Sequence, residues 1–477
     1  MPEFVVQGRS ADAETMAQGV ASLGGRVTRS LQNLEQVSGA AVLLVETPAA
    51  VTDKELKALP GVKIVEGQYY HPFYQLPPLV PPKDMLALAL QLLPPQVFKA
   101  LHPDTLGNIL GARVQDAGAL EEFDVRRTPF GVPGLSLGPE VGRGTFEQRG
   151  DLARMLDLVH APQAQHMNQG QGAIIAIVDS GVDRGVIPQQ NLLSTWSDDD
   201  DDNGHGGDNG HGGMVAAIAL AAAPRASFIV AKPATNERGA MRSLSTLSAL
   251  DYLAGKALEL RTPIIANLSW GIYGTKNLIL PCDVFITRTV RLLDQKGLVM
   301  TSWAVGNNRE VAGPNTISGY CMSTSKWSTS AGAVGRDLRP QPYSSLGGQC
   351  SPGHPVVAAP TFGILPWGNG YRDFGELGGG TSSAAPQVSG ALALMMTQYP
   401  GRSFSFYRAA LRASANNMIL GQPGPYNPLT GAGLLQMDRA IQMVPGIQTN
   451  PWWAFELAIP SSIPVLGGEE SGGVLKG

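Results

Sequence analysis

Cysteine is scarce. Cys282, Cys321 and Cys350 are the only three in 477 residues, an odd and thin set that excludes a fold held together by a disulfide framework. Charge of one sign is also missing, because 35 basic and 39 acidic side chains leave a formal net charge of -4. That balance gives no electrostatic footprint for nucleic acid or an anionic membrane surface, and neither is expected as a partner. No uninterrupted apolar run reaches the roughly 18 residues that a membrane-spanning helix requires. The opening Met-Pro-Glu-Phe-Val-Val-Gln-Gly has no basic stretch followed by an apolar one. The expectation is a cytoplasmic protein or one secreted without a signal peptide.

What the chain does have is glycine, 58 residues of it, within a composition that is 43% hydrophobic and 16% charged. This is a globular composition with many tight loops, and the length points to more than one domain. Residues 1–75 read as a small α+β unit. Phe4-Val-Val6 and Ala40–Val45 are buried strands, Ala11 to Leu23 is helical, and Thr52-Asp-Lys-Glu55 is a capping box ended by Pro60-Gly61. Val62 to Glu66 alternates as a last strand, and one more fits near Gly25 to Leu31. Prolines 77, 78, 81, 82, 94, 95 and 103 then mark 76–149 as a connector with partial helix. From 150 to 445 continuous apolar strands alternate with helices, the signature of βαβ units and a mostly parallel sheet. Residues 446–477 read as a loose tail.

Three segments carry chemistry. Ala173-Ile-Ile-Ala-Ile-Val178 is a strand that delivers Asp179 at its carboxyl end, where parallel sheets place functional groups; taken alone, Asp179 serves equally well as a turn residue before Ser180-Gly181. Two His-Gly-Gly copies follow. His211 leads into the helical run Met214 to Ala223, whereas His205 is flanked by Gly, Asp and Asn, so the rigid element favours His211. Gly380-Thr-Ser-Ser-Ala-Ala-Pro386 passes from a glycine turn into an apolar helix and puts Ser382 at a helix N-terminus, where free N–H groups stabilise a developing anion. In isolation Thr381 or Ser382 would read as a helix cap. Together the carboxylate, imidazole and hydroxyl are the three parts of an activated serine nucleophile.

Two decoys are set aside. Gly134-Leu-Ser-Leu-Gly138 fits a nucleophile-elbow pattern without the strand before it or the helix after it. Asp199, Asp201, Asn203 and Gly204 match the opening of a calcium loop, but its twelfth position is Gly210 instead of a bidentate Glu. Structural calcium therefore has no clear motif behind it, and no cofactor is needed for the chemistry.

With Trp303-Ala-Val-Gly-Asn307 added, these segments in this order resemble the subtilisin family of serine endopeptidases. Asn267-Leu-Ser-Trp-Gly271 resembles the family's substrate-binding strand and Gly431 to Asp438 its closing segment. Residues 3–75 resemble its inhibitory propeptide. The resemblance implies a three-layer α/β fold with a mostly parallel sheet, plus a small ferredoxin-like α+β domain in front. It also implies roles: Ser382 as nucleophile, His211 as general base and acid, Asp179 as its orienting carboxylate and Asn307 as oxyanion donor. Ser269, Trp270, Gly271, Ala304, Val305 and Gly306 would line the substrate pocket. The implied partners are a protein or peptide substrate, the chain's own N-terminal domain as intramolecular inhibitor and, where one exists, a dedicated inhibitor protein. Met214 and Gln387 stand where the family often has histidine, and Gly213 where it often has threonine; none of these breaks the bond. The competing expectation is a catalytically silent relative, kept for binding, with its cleft filled by the N-terminal unit.

Overall fold

The computed structural model describes residues 1–72 and 150–445, apart from 69, 199–209, 236–239, 271–283, 308, 310–321, 348–352, 368–369 and 418–425. The expected connector and tail, the three cysteines, His205, Gly271, most of the acidic run and the Gly134 decoy lie outside the described residues.

The first unit runs β1 (Glu3–Arg9), α1 (Ala13–Ser22), β2 (Arg26–Ser30), α2 (Gln32–Ser38), β3 (Ala40–Glu46), α3 (Asp53–Lys57) and β4 (Val62–Gly67). Its four strands pair antiparallel in the order β2-β3-β1-β4. Alternation along the strands gives the sheet two apolar faces. Val6, Leu43 and Val45 close over Met16, Val20 and Leu56 within the unit, while Val5, Val42 and Leu44 point the other way. The capping box at Thr52 is present in full, with Thr52 Oγ1 accepting from the Glu55 N–H and Glu55 accepting from the Thr52 N–H. A short β5 (Tyr70–Pro72) follows.

The second body opens with α4 (Gly150–Leu158) and α5 (Ala161–Met167) and is built on seven strands. They are β6 (Ile174–Val178), β7 (Leu192–Ser197), β8 (Ser227–Lys232), β10 (Ile264–Leu268), β11 (Val299–Ala304), β12 (Ser328–Val334) and β13 (Val357–Pro360). All neighbours are parallel, in the order β13-β12-β11-β10-β6-β8-β7. The helices are α6 (His211–Ala222), α7 (Ser243–Leu260), α8 (Phe285–Gln295), α9 (Thr381–Gln398), α10 (Phe404–Ser414) and α11 (Met437–Met443). A three-residue β9 (Ala240–Arg242) precedes α7, and a separate antiparallel pair, β14 (Ile364–Trp367) and β15 (Gly370–Asp373), precedes α9.

Strand β6 shows why the sequence reads as continuous apolar runs. Ile175 and Ile177 face the core that includes residues of α6 and α9, while Ile174, Ala176 and Val178 face residues of α7 and α8. The second of these cores extends across both units. Val5, Leu31, Leu34, Val42 and Leu44 of the first unit belong to it, so the outer face of the small sheet is covered by α7 and α8. Burying each such side chain stabilises the contact by about 1.5–3 kcal/mol. No helix among the described residues is long and apolar enough to cross a membrane.

Near the end of the sheet His354 is buried, with Nδ1 2.9 Å from the Ser330 hydroxyl. Burial, reinforced by the charges of Arg412 and Arg408, holds its imidazole well below the usual histidine range. An unfolded chain takes up that proton near pH 6.5, the folded chain only well below it. Stability is therefore complete above about pH 6.5 and is lost as the pH falls toward the folded-state value, by at most about 1.4 kcal/mol per unit. Urea unfolding at about pH 7 and about pH 5 is expected to show this loss, and His354→Gln to make the dependence shallower.

Candidate active site

Asp179 follows the last residue of β6, and its own N–H bonds the Ala231 carbonyl of the neighbouring strand at 3.1 Å. The sheet thus fixes the backbone from which the carboxylate projects. His211 is the first residue of α6, and its Nδ1 lies 2.7 Å from Asp179 Oδ1, with both side chains fully buried. The same oxygen accepts the Ser180 N–H at 2.8 Å. This close approach of helix and turn depends on the glycine after the histidine. A Cβ on Gly212 would stand 2.0 Å from the Gly181 carbonyl oxygen, so any larger residue would push His211 off the carboxylate.

Ser382 is the second residue of α9, whose N-cap, Gly380, has φ +69 and no side-chain cap. A Cβ there would come 2.7 Å from Asn307 Nδ2. Thr381 does not cap the helix either. Its N–H and hydroxyl both donate to Asn307 Oδ1, at 2.9 and 2.8 Å, and its hydroxyl accepts the Gly306 N–H at 3.1 Å. Asn307 is thereby held by its oxygen next to the residue that precedes Ser382, with the amide nitrogen as its donor end.

The Ser382 hydroxyl donates to the backbone carbonyl of Ser269 at 2.8 Å instead of to the imidazole. Ser269 returns the bond, its own hydroxyl donating to the Ser382 carbonyl at 2.9 Å. That second bond has a local cause. Pro386 sits inside α9 four residues beyond Ser382 and has no N–H, so the Ser382 carbonyl has no helical donor, and Ser269 supplies one from β10's end. Asn267 donates to the Ser269 hydroxyl at 2.9 Å and accepts from Ser389 at 2.8 Å, which completes a buried polar chain beneath Ser382.

The other residues singled out from the sequence fall close by. Trp270 is buried and its indole N–H donates to the Val178 carbonyl at 2.7 Å, just before Asp179. Ala304 ends β11, and the Val305 N–H continues the ladder to Ala331 at 3.1 Å. The side chains of Ser269 and Trp270 therefore turn inward onto the backbones of Ser382 and Val178. Gln387, where the resembled family often has histidine, donates to the Pro360 and Ser383 carbonyls at 2.8 and 2.9 Å. Among the described residues no group of three or more His, Cys, Asp or Glu side chains comes together to hold a metal ion.

Sequence reasoning missed one neighbour of the site, Trp367, and the strand that receives the end of the first unit. Strand β9 pairs antiparallel with β5, Tyr70 opposite Arg242 and Pro72 opposite Ala240, which brings the end of the first unit to the second body. Three residues are too few for a pattern to reveal. Trp367, on β14, meets the His211 ring edge-on. Its signal is present in the sequence, since Trp367-Gly-Asn-Gly370 between alternating segments is a hairpin signature.

The contacts between the two units are specific. Glu66 accepts the Phe285 N–H at 2.8 Å at the start of α8, where the preceding Val284 offers no side-chain acceptor, and reaches Arg288 at 3.3 Å. Gln68 accepts the Leu244 N–H at 3.3 Å in the first turn of α7. In return Asp251 of α7 accepts the Leu34 N–H at 2.7 Å and the Asn33 amide at 3.0 Å. Burial pushes the Asp251 carboxyl up, while these two donors oppose the shift. Glu3 pairs with Arg242, and Arg29 with Asp198 at 2.6 Å.

A model of the subtilase family of peptidases matches residues 170–433. Subtilisin DY of Bacillus licheniformis is 27% identical over 300 residues, which is 60% of this chain and 97% of that protein. Among solved structures, fervidolysin from Fervidobacterium pennivorans, described as a keratinolytic enzyme related to subtilisin, matches with a TM-score of 0.59 at 17% identity. The match covers 92% of this chain and 61% of that one, so the chain spans less than two thirds of fervidolysin's length, and the likeness speaks to fold alone.

Proposed function

The chain belongs to the subtilase family of peptidases, and from that premise we propose that it is a serine endopeptidase that cuts peptide bonds through an acyl-enzyme. The observation that carries this reading is the buried 2.7 Å contact between His211 Nδ1 and Asp179, formed at the carboxyl end of a parallel strand. A carboxylate at Nδ1 fixes the tautomer that leaves Nε2 as the base, and it stabilises the imidazolium that forms when the base takes a proton. Ser382 Oγ is the nucleophile. Rotation about its Cα–Cβ bond takes the hydroxyl from the Ser269 carbonyl to the base when substrate arrives. The Asn307 amide and the Ser382 N–H at the start of α9 then receive the developing oxyanion. Fluorophosphonate labelling mapped to Ser382 tests the assignment, because the probe reacts only with an activated hydroxyl.

Residues 1–75 act in this reading as a ferredoxin-like propeptide domain that holds the peptidase domain, 150–445, as an auto-inhibited zymogen able to process itself. The docking of Glu66 on α8, of Gln68 on α7 and of β5 along β9 supports it. Removing a helix-end acceptor costs about 0.5–2 kcal/mol. Glu66→Ala is therefore expected to raise peptide hydrolysis by the uncut chain between about 2-fold and about 30-fold; an unchanged rate in a chain shown to be intact would detach the unit from control of activity.

One observation favours a second reading. The Ser382 hydroxyl rests on the Ser269 carbonyl while the first unit is docked, the state expected of a catalytically silent binding protein with a filled cleft. Labelling of Ser382 separates the two, since a silent relative stays unlabelled after the N-terminal unit is cut away.

A further inference from the structure

A hydrogen bond at one ring nitrogen is a single point of support. Asp179 holds His211 at Nδ1, but coupled rotation about Cα–Cβ and Cβ–Cγ can still pivot the ring about that nitrogen, and the pivot swings Nε2 away from a nucleophile on α9. A second support is present. The indole of Trp367 meets the imidazole at 6.3 Å between centroids with the planes 84° apart, a perpendicular contact that resists such a pivot.

Trp367 is itself held on several sides. Phe374, buried, packs on it at 5.4 Å and 63°, and the Arg372 guanidinium lies over its face at 5.0 Å. An isolated two-stranded hairpin is marginal by itself, and among the described residues β14 and β15 are joined to no other strand. The anchor comes from α4, where Asp151 accepts the Ile364 N–H at 3.0 Å and pairs with Arg336 at 3.2 Å. Leu365, fully buried, fixes the same strand to the core.

We propose that Trp367 is a positioning residue for His211, setting the plane of the imidazole so that its base nitrogen faces Ser382. The inference rests on the catalytic reading of His211 given above. Neither the chain's motifs nor the contact between Asp179 and His211 assigns any role to this tryptophan.

The test compares Trp367→Ala, Trp367→Leu and Trp367→Phe, each folded as the full chain and then released from its N-terminal unit by limited cleavage, by steady-state hydrolysis of a chromogenic peptide and by the rate of fluorophosphonate labelling. Loss of the ring in the Ala and Leu variants is expected to lower kcat about tenfold with KM changed less than about twofold, and to slow labelling in proportion. Phe restores the perpendicular contact and is expected to recover most of both rates. If Ala fails to fold, Leu against Phe decides, because Leu keeps apolar bulk without a ring. Wild-type labelling and turnover in the Leu variant would overturn the inference, as would a rise in KM alone, which would make Trp367 a wall of the substrate cleft. Wild-type protein that resists labelling after release of its N-terminal unit overturns the catalytic reading itself and this inference with it.

Discussion

Ser382→Ala is expected to abolish peptide hydrolysis, self-cleavage and fluorophosphonate labelling together. The loss in kcat should be on the order of 10⁶-fold, the size of the effect that removing the nucleophile has in subtilisin itself. The structure adds the reason why such a variant should remain folded. Ser382 contributes one hydroxyl, donated to the Ser269 carbonyl at 2.8 Å, whereas the bond from the Ser269 hydroxyl goes to the Ser382 backbone and survives the substitution. Leaving one buried carbonyl without that donor costs about 1 kcal/mol, which a domain of this size tolerates. A folded, inert protein is thus the expected product, and the size of the uncut band on a gel reports self-cleavage directly. Turnover retained in the variant would remove Ser382 from the mechanism.

The largest expected effect on stability lies away from the site. Arg408 of α10 makes a two-pronged pair with Asp294 of α8, at 2.6 and 3.0 Å, and also donates to the Trp327 carbonyl at 3.2 Å. Both side chains are almost entirely buried, 6% and 5% exposed, so water cannot replace either partner. Burial pushes the Asp294 carboxyl up from its ordinary range, and the Arg408 charge opposes that shift. Arg408→Met leaves a buried carboxylate without its cation and should destabilise the fold by about 3–5 kcal/mol. The double variant Arg408→Met with Asp294→Leu is expected to regain most of the loss, since an apolar pair of similar volume needs no partner. Urea unfolding of the single and double variants measures both. Equal losses in the two would show that the damage is to packing and not to an abandoned charge.

Those interactions differ in how far the sequence reveals them. Asp179 is legible because Ala173 to Val178 is a run apolar on both faces, and His211 because the alanine-rich stretch after it can only be a helix. Ser382 is placed at a helix start by the glycines before it and the apolar run after it. The long α7 and the strand Ile264–Leu268 are equally plain in their periodicity. What stays hidden is non-local or short. Helix α2 spans seven residues with only Leu34 buried, too weak a stripe to announce itself. The meeting of β5 and β9 joins distant segments, Tyr70 to Arg242 among them, through three residue pairs. Ser269 reads as part of a pocket wall, and its bond to the Ser382 carbonyl exists because a proline in another element has no proton to give. Sequence periodicity reports what an element buries; it does not report which distant group completes its hydrogen bonds.

Pro386 leaves one carbonyl of α9 without a helical donor, and a strand of the sheet has taken its place. A helix lying on a sheet through apolar contacts alone could shift along its axis with little resistance. Here the missing proton turns a defect into a rivet between two layers, placed at the residue whose position matters most. The serine's backbone is then tied to the enclosed sheet as well as to the first turn of a helix, where fraying begins.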